Sequence, residues 1–576
     1  MSHTHILSHT RTSLSFLSSI LILIGVAACS GGESSPTPST ITGTAGAEEA
    51  IGERLFLETR FAQAFKVFMD NGGDVNNSKA GDGVVDTVET LGAPINPGPF
   101  KGLSMNCRAC HLVDDVLSSP GGGMRTYADF ARRSPIPARA DGKTHAPRNS
   151  PPLVNASLNR PGGVLFHFDA EFNSMEELIT ATFTGRNFGW LHGEKAQAIA
   201  HVAKVVRGDD GSFDLTDTGL PYRVLFTGTD PNIPEELRLP PQFRAFVGSA
   251  SDQEIFDAVV RVVSAYVKGL LFSQTEDSGA LIRSPFDVFL AINGLPQRPD
   301  PNESPLAYSR RLRALINAPG FSARFVTSNP NRSNGQFQFH TQVFEFGATE
   351  LAGLKMFLAE PATLPASPGE LTAGKIGNCL ACHAAPNFTD FKLHNTGTTQ
   401  KEYDGIHGAN TFSALVIPDL ATRNGNYDAF LPGTENHPAA SERFRAIPVL
   451  SNPALTDLGV WNIFANPDMP STQTKIKVIL CDDQVPCPLS DSTLLDRAIA
   501  RFKTPGLRDL SHSAPYMHNG QFDTLEQIVE FYREVSDLQR ANSLRNGDPE
   551  LGGIAVTSQD VSSLAAFLKA LNEDYQ

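Results

Sequence analysis

Wherever the chain shows periodicity, apolar residues recur at helical spacing. In "AEEAIGERLFLETRFAQAFKVF" (47–68), Ile51, Leu55 and Phe56 share one side and later aromatics continue the stripe. The longest clear helix is expected at 252–272, where Ile255, Val259, Val262, Val263, Tyr266, Val267 and Leu270 make a broad apolar face. A proline-rich connector, "LPQRPDPNESP", leads to a short basic helix around "YSRRLRALI". A tract rich in Asn, Ser and Phe then runs to about 340, and "GATELAGLKMFL" predicts another helix. In "TLEQIVEFY", Thr524 and Gln527 have the spacing of a capping box, which puts Leu525, Ile528, Val529 and Tyr532 on one face. A last helix is expected in "SQDVSSLAAFLKALN", started by Ser558 and Asp560, with Val561, Leu564, Phe567 and Leu568 as its stripe. Few segments alternate as strands do. The expected fold class is mostly α, with helices joined by long loops.

The N-terminus reads differently. Arg11 precedes an apolar run from Leu14 to Ala28, too short to span a bilayer comfortably and placed like the core of a signal peptide. It ends in "VAAC", which resembles the bacterial lipoprotein box with Cys29 as the lipidation site; a plain secretory signal with a chance Cys is the alternative. Ser30, not Asp, follows that Cys, which favours the outer membrane, and a tether rich in Ser, Gly, Pro and Thr continues to Thr44. The expectation is a periplasm-facing protein that touches membrane only through a lipid anchor.

Composition narrows the classes. With 576 residues the chain has room for roughly two to four domains. Hydrophobic content of 40% and charged content of 19% are those of a soluble globular body. A net charge of −15 without a basic stretch excludes nucleic acid as a partner. It suits a soluble enzyme, or a protein that docks a basic electron carrier. The Gly, Asn and Asp-rich stretch 70–86 lacks the EF-hand spacing and its closing Glu, so a solvated loop is expected there.

Seven cysteines carry most of the chemistry: 29, 107, 110, 379, 382, 481 and 487. Four lie in "CRACH" (107–111) and "CLACH" (379–383). Two thiols at this spacing reach both vinyl groups of a haem, and the next residue, His, meets the iron. Covalent haems are therefore expected on Cys107, Cys110 and His111, and on Cys379, Cys382 and His383. Cys481 and Cys487 remain, and in an exported protein the spare pair most simply forms a disulfide. The implied division is a signal peptide at 1–29, a tether at 30–48, an N-terminal haem domain at 49–294, a connector or insertion at 295–345, and a C-terminal haem domain at 346–576.

With these pieces in place, the chain resembles the bacterial di-haem cytochrome c peroxidase and MauG superfamily. The matching segments are "IGERLFLETRF", "CRACH", "RNSPPLVNASL" (148–158), "AVVRVVSAYVKGL" with "SPFDVFL", "TELAGLKMFL" running into "CLACH", "PNFTDFKLHNTG" (386–397) and "FKTPGLRDLSHSAPYMHNGQFDTLEQIVEFY" (502–532). Extra material lies chiefly at about 195–250 and 295–340. The resemblance implies two cytochrome c-like haem domains, with the N-terminal haem as the peroxide site and the C-terminal haem storing a second oxidising equivalent. It places the second ligand of the C-terminal iron at Tyr532, where MauG-like members carry Tyr and peroxidases carry Met. An anionic phenolate favours oxidised iron, whereas a thioether such as that of Met517 favours Fe(II). The resemblance further implies that Arg508 and His518 serve this haem by propionate pairing and hydrogen bonding. It leaves open a calcium ion between the domains.

Two departures bear on activity. The family's inter-haem Trp tract reads here as "LFHFDAEF" (165–172), with His167 or Phe168 in its place. The segment that supplies the family's distal Glu reads "ATFTGRNFGWLHGE" (181–194), with no carboxylate in register. Glu194, Glu171 or His145 would then have to move the peroxide proton. His145 is alternatively a cap on the N-terminal iron or an ordinary loop His. Trp190 and Trp461, the only tryptophans, are hole carriers or core packing. The leading expectation is an exported di-haem oxidoreductase that takes hydrogen peroxide, or dioxygen plus electrons, and oxidises a small electron-donor protein or a protein substrate. The alternatives are a non-catalytic electron-transfer cytochrome and a di-haem oxygenase of an organic or polymeric substrate.

Overall fold

The computed structural model describes residues 46–76, 106–107, 110–111, 133–134, 136–158, 165–212, 218–272, 274–275, 279–337 and 340–573. The Leu14–Ala28 run, Cys29, the tether up to residue 45 and most of the 70–86 loop lie outside them. Among the described residues, helices dominate, and the only sheet is the antiparallel pair Leu393–His394 with Phe502–Lys503. No described helix is long and apolar enough to cross a membrane.

Each half opens with a helix that carries a glycine at its crossing point. In Ala47–Phe56 a Cβ on Gly52 would sit 2.6 Å from the Val262 carbonyl oxygen of helix Asp252–Gly269. In Ala348–Phe357 a Cβ on Gly353 would sit 1.9 Å from the Ser563 carbonyl oxygen of helix Val561–Lys569. A side chain at either glycine would push the two backbones apart, so both crossings depend on its absence. Asp252–Gly269 starts at the Ser251/Glu254 capping box and buries Ile255, Val259, Val262, Val263 and Val267. It stops at Gly269, earlier than the apolar pattern suggests, because Leu270 leaves helical geometry.

The other boundaries follow local chemistry. The apolar stripe at 47–68 breaks into two helices, Ala47–Phe56 and Gln63–Asp70. Between them the chain turns to bury Glu58, whose carboxylate accepts from the Arg60 side chain and the Tyr222 hydroxyl. At the C-terminus the helix starts at Val561, not Ser558. There the Asp560 carboxylate accepts from the Thr557 amide and hydroxyl, each 2.8 Å away, closing a turn before the helix begins.

Among the described residues, three large apolar cores result. The first gathers residues from 47 to 267 and the second residues from 286 to 571. Helix Pro285–Ile292, which the division at 294 assigns to the N-terminal domain, packs in the second core. Phe286 makes ring contacts with Phe346, Phe388 and Phe567, and Phe289 stacks on Phe346 at 4.2 Å. The third core, built by residues 393–500, includes Trp461, Leu494 and Leu495 and takes in Leu165 and Ala170 from the N-terminal half. That core carries the Cys481–Cys487 disulfide.

The two halves also share a turn-and-helix unit offset by 350 residues. Phe166 bridges Phe172 as Tyr516 bridges Phe522. Positive φ falls at His167 and Ala170 in one copy and at Met517 and Gly520 in the other. Helix Met175–Phe183 is capped by Ser174 accepting from the Glu177 amide, and helix Leu525–Arg540 by Thr524 accepting from the Gln527 amide.

Candidate functional site

The two cysteine motifs fold into the same tight turn. The His111 amide donates to the Cys107 carbonyl at 2.9 Å, and the His383 amide to the Cys379 carbonyl at 2.8 Å. Burial pushes the thiols of Cys107, Cys110 and Cys379 up to about 12, so each stays protonated and none forms a disulfide. Burial lowers the imidazole of His111 to about 4 and lowers that of His383, against backbone contacts from Pro151 and from Phe388 and Pro505 respectively. Both rings are therefore neutral at pH 7, the form that binds metal. His383 Nδ1 lies 2.8 Å from the Phe388 carbonyl, which assigns its proton and leaves Nε2 with the lone pair.

Around His383 the structure forms a mainly apolar cavity. Cys379, Cys382 and His383 make one part of its wall, and Leu525, Ile528, Val529 and Tyr532 from a single helix face make another. The capping box that orients this helix is complete: the Thr524 hydroxyl accepts from the Gln527 amide at 3.2 Å, and Gln527 accepts from the Thr524 amide at 3.1 Å. Thr524→Ala is expected to destabilise the protein by about 1 kcal/mol. Its urea midpoint should fall while the ultraviolet–visible haem spectrum stays unchanged.

Met517 and His518 also line the cavity. His518 is buried, its ring stacks on Phe502 at 3.7 Å, and its Nε2 has no hydrogen-bond partner. Burial lowers this imidazole to about 3, so it faces the cavity uncharged. Burial raises the Tyr532 phenol well above its ordinary range, with Cys382 and Cys379 adding to the effect. A bound cation reverses that preference by favouring the phenolate. Thiols, neutral imidazole, phenol and apolar walls together fit a covalently attached c-type haem between His383 and Tyr532.

Other expected site residues are engaged elsewhere. The Arg508 guanidinium is held by both oxygens of buried Asp287 at 3.0 Å and donates from Nε to the Pro386 carbonyl. In this structure its guanidinium is engaged in an ion pair with Asp287 and it is not among the residues lining the cavity. Glu194 is chelated by Arg139, accepts from the Leu191 amide, and has its carboxyl lowered chiefly by Arg139, against burial. Glu171 is held by Arg445 and contacts His167 Nδ1 at 3.0 Å. Both carboxyls are thus fixed as anions, which suits them poorly as proton donors. His145 is half-buried, with Nδ1 3.0 Å from the Thr144 hydroxyl and its imidazole lowered by burial and by Arg133. Trp190 and Trp461 are buried in the first and third cores, and the Arg423 guanidinium lies 4.9 Å over the Trp461 ring. Phe168, not His167, lines the cavity, and its ring lies 6.4 Å from that of His518.

Among the described residues, two groups offer three metal-ligating atoms close together: Cys382, Asp390 and His394, and His167, Asp169 and Glu171. Neither is the all-oxygen cage that calcium takes. His394 is clamped between Asp390 (2.8 Å) and Asp548 (2.5 Å) at the cavity wall. Burial opposes its charge, but hydrogen bonds to the Asp390 and Asp548 carboxylates outweigh burial and hold it as an imidazolium.

Residues that motif reading passes over join the halves beside this cavity. Arg148 is bound by Asp457 (2.6 and 2.9 Å) and lies 2.6 Å from Asp169. Its neighbour Asn149 donates from its amide to the His518 carbonyl at 2.7 Å, and from its side chain to the Pro515 carbonyl. Arg148 opens the "RNSPP" segment and was open to notice, whereas Asp457 sits in a stretch without a motif.

Comparison with known proteins gives the chain its setting. No family model matches it. It is 29% identical over 204 residues to cytochrome-c peroxidase IdrP2 of Denitromonas iodatirespirans, a span of 35% of this chain and 38% of that one. It is 33% identical over 73 residues to methylamine utilization protein MauG of Methylorubrum extorquens, 13% of this chain and 19% of that one. The matches thus span less than two fifths of those relatives' length. A solved MauG-like protein associated with microbial copper homeostasis aligns with TM-score 0.39 and 15% identity over 94% of both chains. The diheme peroxidase BthA of Burkholderia thailandensis E264 aligns with TM-score 0.38 and 14% identity over 91% of this chain and 86% of that one. On the sequence matches, to proteins of both names, part of this chain is similar to members of the di-haem cytochrome c peroxidase and MauG superfamily.

Proposed function

We propose that this chain is an exported di-haem c-type oxidoreductase that reduces hydrogen peroxide, or dioxygen with added electrons, and oxidises a small electron-donor protein or a protein substrate. The single observation that carries the reading is the cavity in which His383 and Tyr532 line the same space beside Cys379 and Cys382. When bound, the two haems supply iron that exchanges electrons with peroxide and with a donor. The protein's part is to hold His111 and His383 neutral, to bring an oxygen ligand to the second site, and to keep that site dry behind Leu525, Val529 and Leu564. The N-terminal site, at His111, is the peroxide site, and the site at His383 and Tyr532 stores the second oxidising equivalent. Arginines hold Glu194 and Glu171 as anions, so of the three residues weighed for the peroxide proton His145 is the one left uncommitted to an ion pair. The acidic surface implied by a net charge of −15 suits a basic donor protein. Cys29 would anchor the chain to the outer membrane, facing the periplasm.

Electron paramagnetic resonance of the oxidised holoprotein tests the reading. One high-spin and one low-spin haem are expected, and the high-spin signal should disappear on adding cyanide or peroxide. Two low-spin haems that bind neither would favour the electron-transfer cytochrome. Oxygen consumption with an organic substrate and without peroxide would favour the oxygenase.

A further inference from the structure

The unit repeated at an offset of 350 residues gives the N-terminal site a partner for Tyr532. Seventeen consecutive positions correspond, from Phe166 with Tyr516 to Thr182 with Tyr532. The correspondence is geometric as well as sequential. The bridges Phe166–Phe172 and Tyr516–Phe522 coincide under it, as do the positive φ values at His167 (63°) and Met517 (70°), and at Ala170 (63°) and Gly520 (65°). The cap residues coincide too: Ser174 at φ −135° and ψ 159°, Thr524 at φ −132° and ψ 155°. Each cap accepts from the amide three residues on, at 3.1 and 3.2 Å. The buried positions Met175 and Ile179 fall on Leu525 and Val529, whose faces line the second cavity.

The loop that meets each histidine repeats as well. Pro151 faces the His111 ring and Pro505 the His383 ring, and four residues later Asn155 (φ 60°) and Asp509 (φ 56°) share the left-handed conformation. Both walls of the second cavity, the histidine side and the helix side, therefore have counterparts in the N-terminal half.

On this equivalence we infer that Thr182 occupies the position facing the N-terminal iron that Tyr532 occupies at the C-terminal one, and that its short side chain leaves the iron open to peroxide. The inference rests on the proposed function and extends it. Thr182 ends at its γ atoms, many bonds short of a phenol oxygen, and so cannot ligate from the same backbone position. Its hydroxyl donates back to the Leu178 carbonyl at 2.9 Å, which fixes the rotamer and leaves oxygen lone pairs to accept a hydrogen bond from a bound peroxide. Eight residues after a capped start, about two helix turns on, one half thus carries a ligand and the other a gap.

Reciprocal exchange tests this in the full-length holoprotein, with cyanide bound to the ferric form as the probe. Wild type is expected to bind one cyanide per chain. Thr182→Tyr and Thr182→Met should each weaken that binding at least tenfold and convert the high-spin haem to low spin or to a phenolate-ligated form. Met is included because its flexible side chain is the easier of the two to accommodate. Tyr532→Thr should bind two cyanides per chain. If either Thr182 variant folds with both haems and keeps wild-type cyanide binding and spectrum, the inference is overturned. If neither folds, the count for Tyr532→Thr combined with Met517→Leu decides, because a value of one with no thioether left to move in shows that a Thr at this register does not open an iron. A wild-type protein that binds no cyanide would instead overturn the proposed function itself.

Discussion

Replacing Tyr532 with phenylalanine is expected to remove the phenolate-to-iron charge-transfer band and to raise the C-terminal haem potential by a few tenths of a volt, on the order expected when an axial ligand changes character. The substitution deletes one oxygen from a side chain that faces the cavity, on a helix oriented by its own capping box, so packing changes little. Chemistry at the iron changes much more. A phenolate places a negative charge on the metal and favours the oxidised state. Phenylalanine offers nothing, and Met517 lines the same cavity with a thioether to offer. If the thioether moves in, the haem stays low-spin with a high potential, and adding Met517→Leu should then turn it high-spin. Spectroelectrochemistry of the two variants reads both effects. A spectrum and potential identical to wild type would show that Tyr532 only packs.

Much of this arrangement was legible in the sequence because it is local. Cys-x-x-Cys-His is a five-residue statement, and the Thr524–Gln527 box with the face ending at Tyr532 spans nine residues. The structure builds both where the spacing puts them. Ion pairs between distant residues were not legible. Arg508 reads as a haem residue because of its place in the C-terminal motif, yet its partner Asp287 lies 221 residues away and holds both terminal guanidinium nitrogens. Glu194 has the same history with Arg139, 55 residues earlier. Nor was the third core: "YDAF", "VWNIF" and "STLLDRA" are short apolar clusters without sustained period, and only packing shows that they enclose Trp461. The repeat at 350 residues was open to a self-comparison, but its identities are few and the shared φ values are what make it firm.

The third core matters for the site because it supplies charges that meet the N-terminal half. Arg445 and Asp457 come from it, and Asp169, Glu171 and Arg148 come from the segments at 148–172. These charges alternate in sign and are nearly all removed from water, the setting in which one missing partner costs most. They surround the turn that brings Phe168 to the cavity.

Arg148→Ala should therefore be strongly destabilising, with a loss of roughly 3–5 kcal/mol at pH 7 as expected for a broken buried ion pair. The guanidinium is buried, bound to both oxygens of Asp457 and in contact with Asp169. Its removal strands Asp457, 3% exposed, and leaves Asp169, 0% exposed, with only the Arg445 guanidinium at 3.3 Å. The loss should depend on pH with a definite sign. Burial alone would raise the Asp457 carboxyl, but Arg148 dominates and holds it down at about 2. In wild type the pair's stabilisation is thus present above the unfolded Asp value of roughly 3.9 and fades as pH falls towards 2. In the variant, burial without a partner lifts that carboxyl above its unfolded value, so protonation relieves the folded state as pH falls. The gap between the proteins should narrow steadily from pH 7 to pH 4, measured as the difference in urea midpoint at each pH. Arg148 also sits beside Asn149, which holds the backbone of His518 and Pro515. The variant should accordingly show a shifted C-terminal haem spectrum even at pH 7, where it is still folded in dilute buffer. A loss below about 1 kcal/mol, or one that is the same at pH 7 and pH 4, would assign the joining of the halves to apolar packing in the third core instead of to this charge pair.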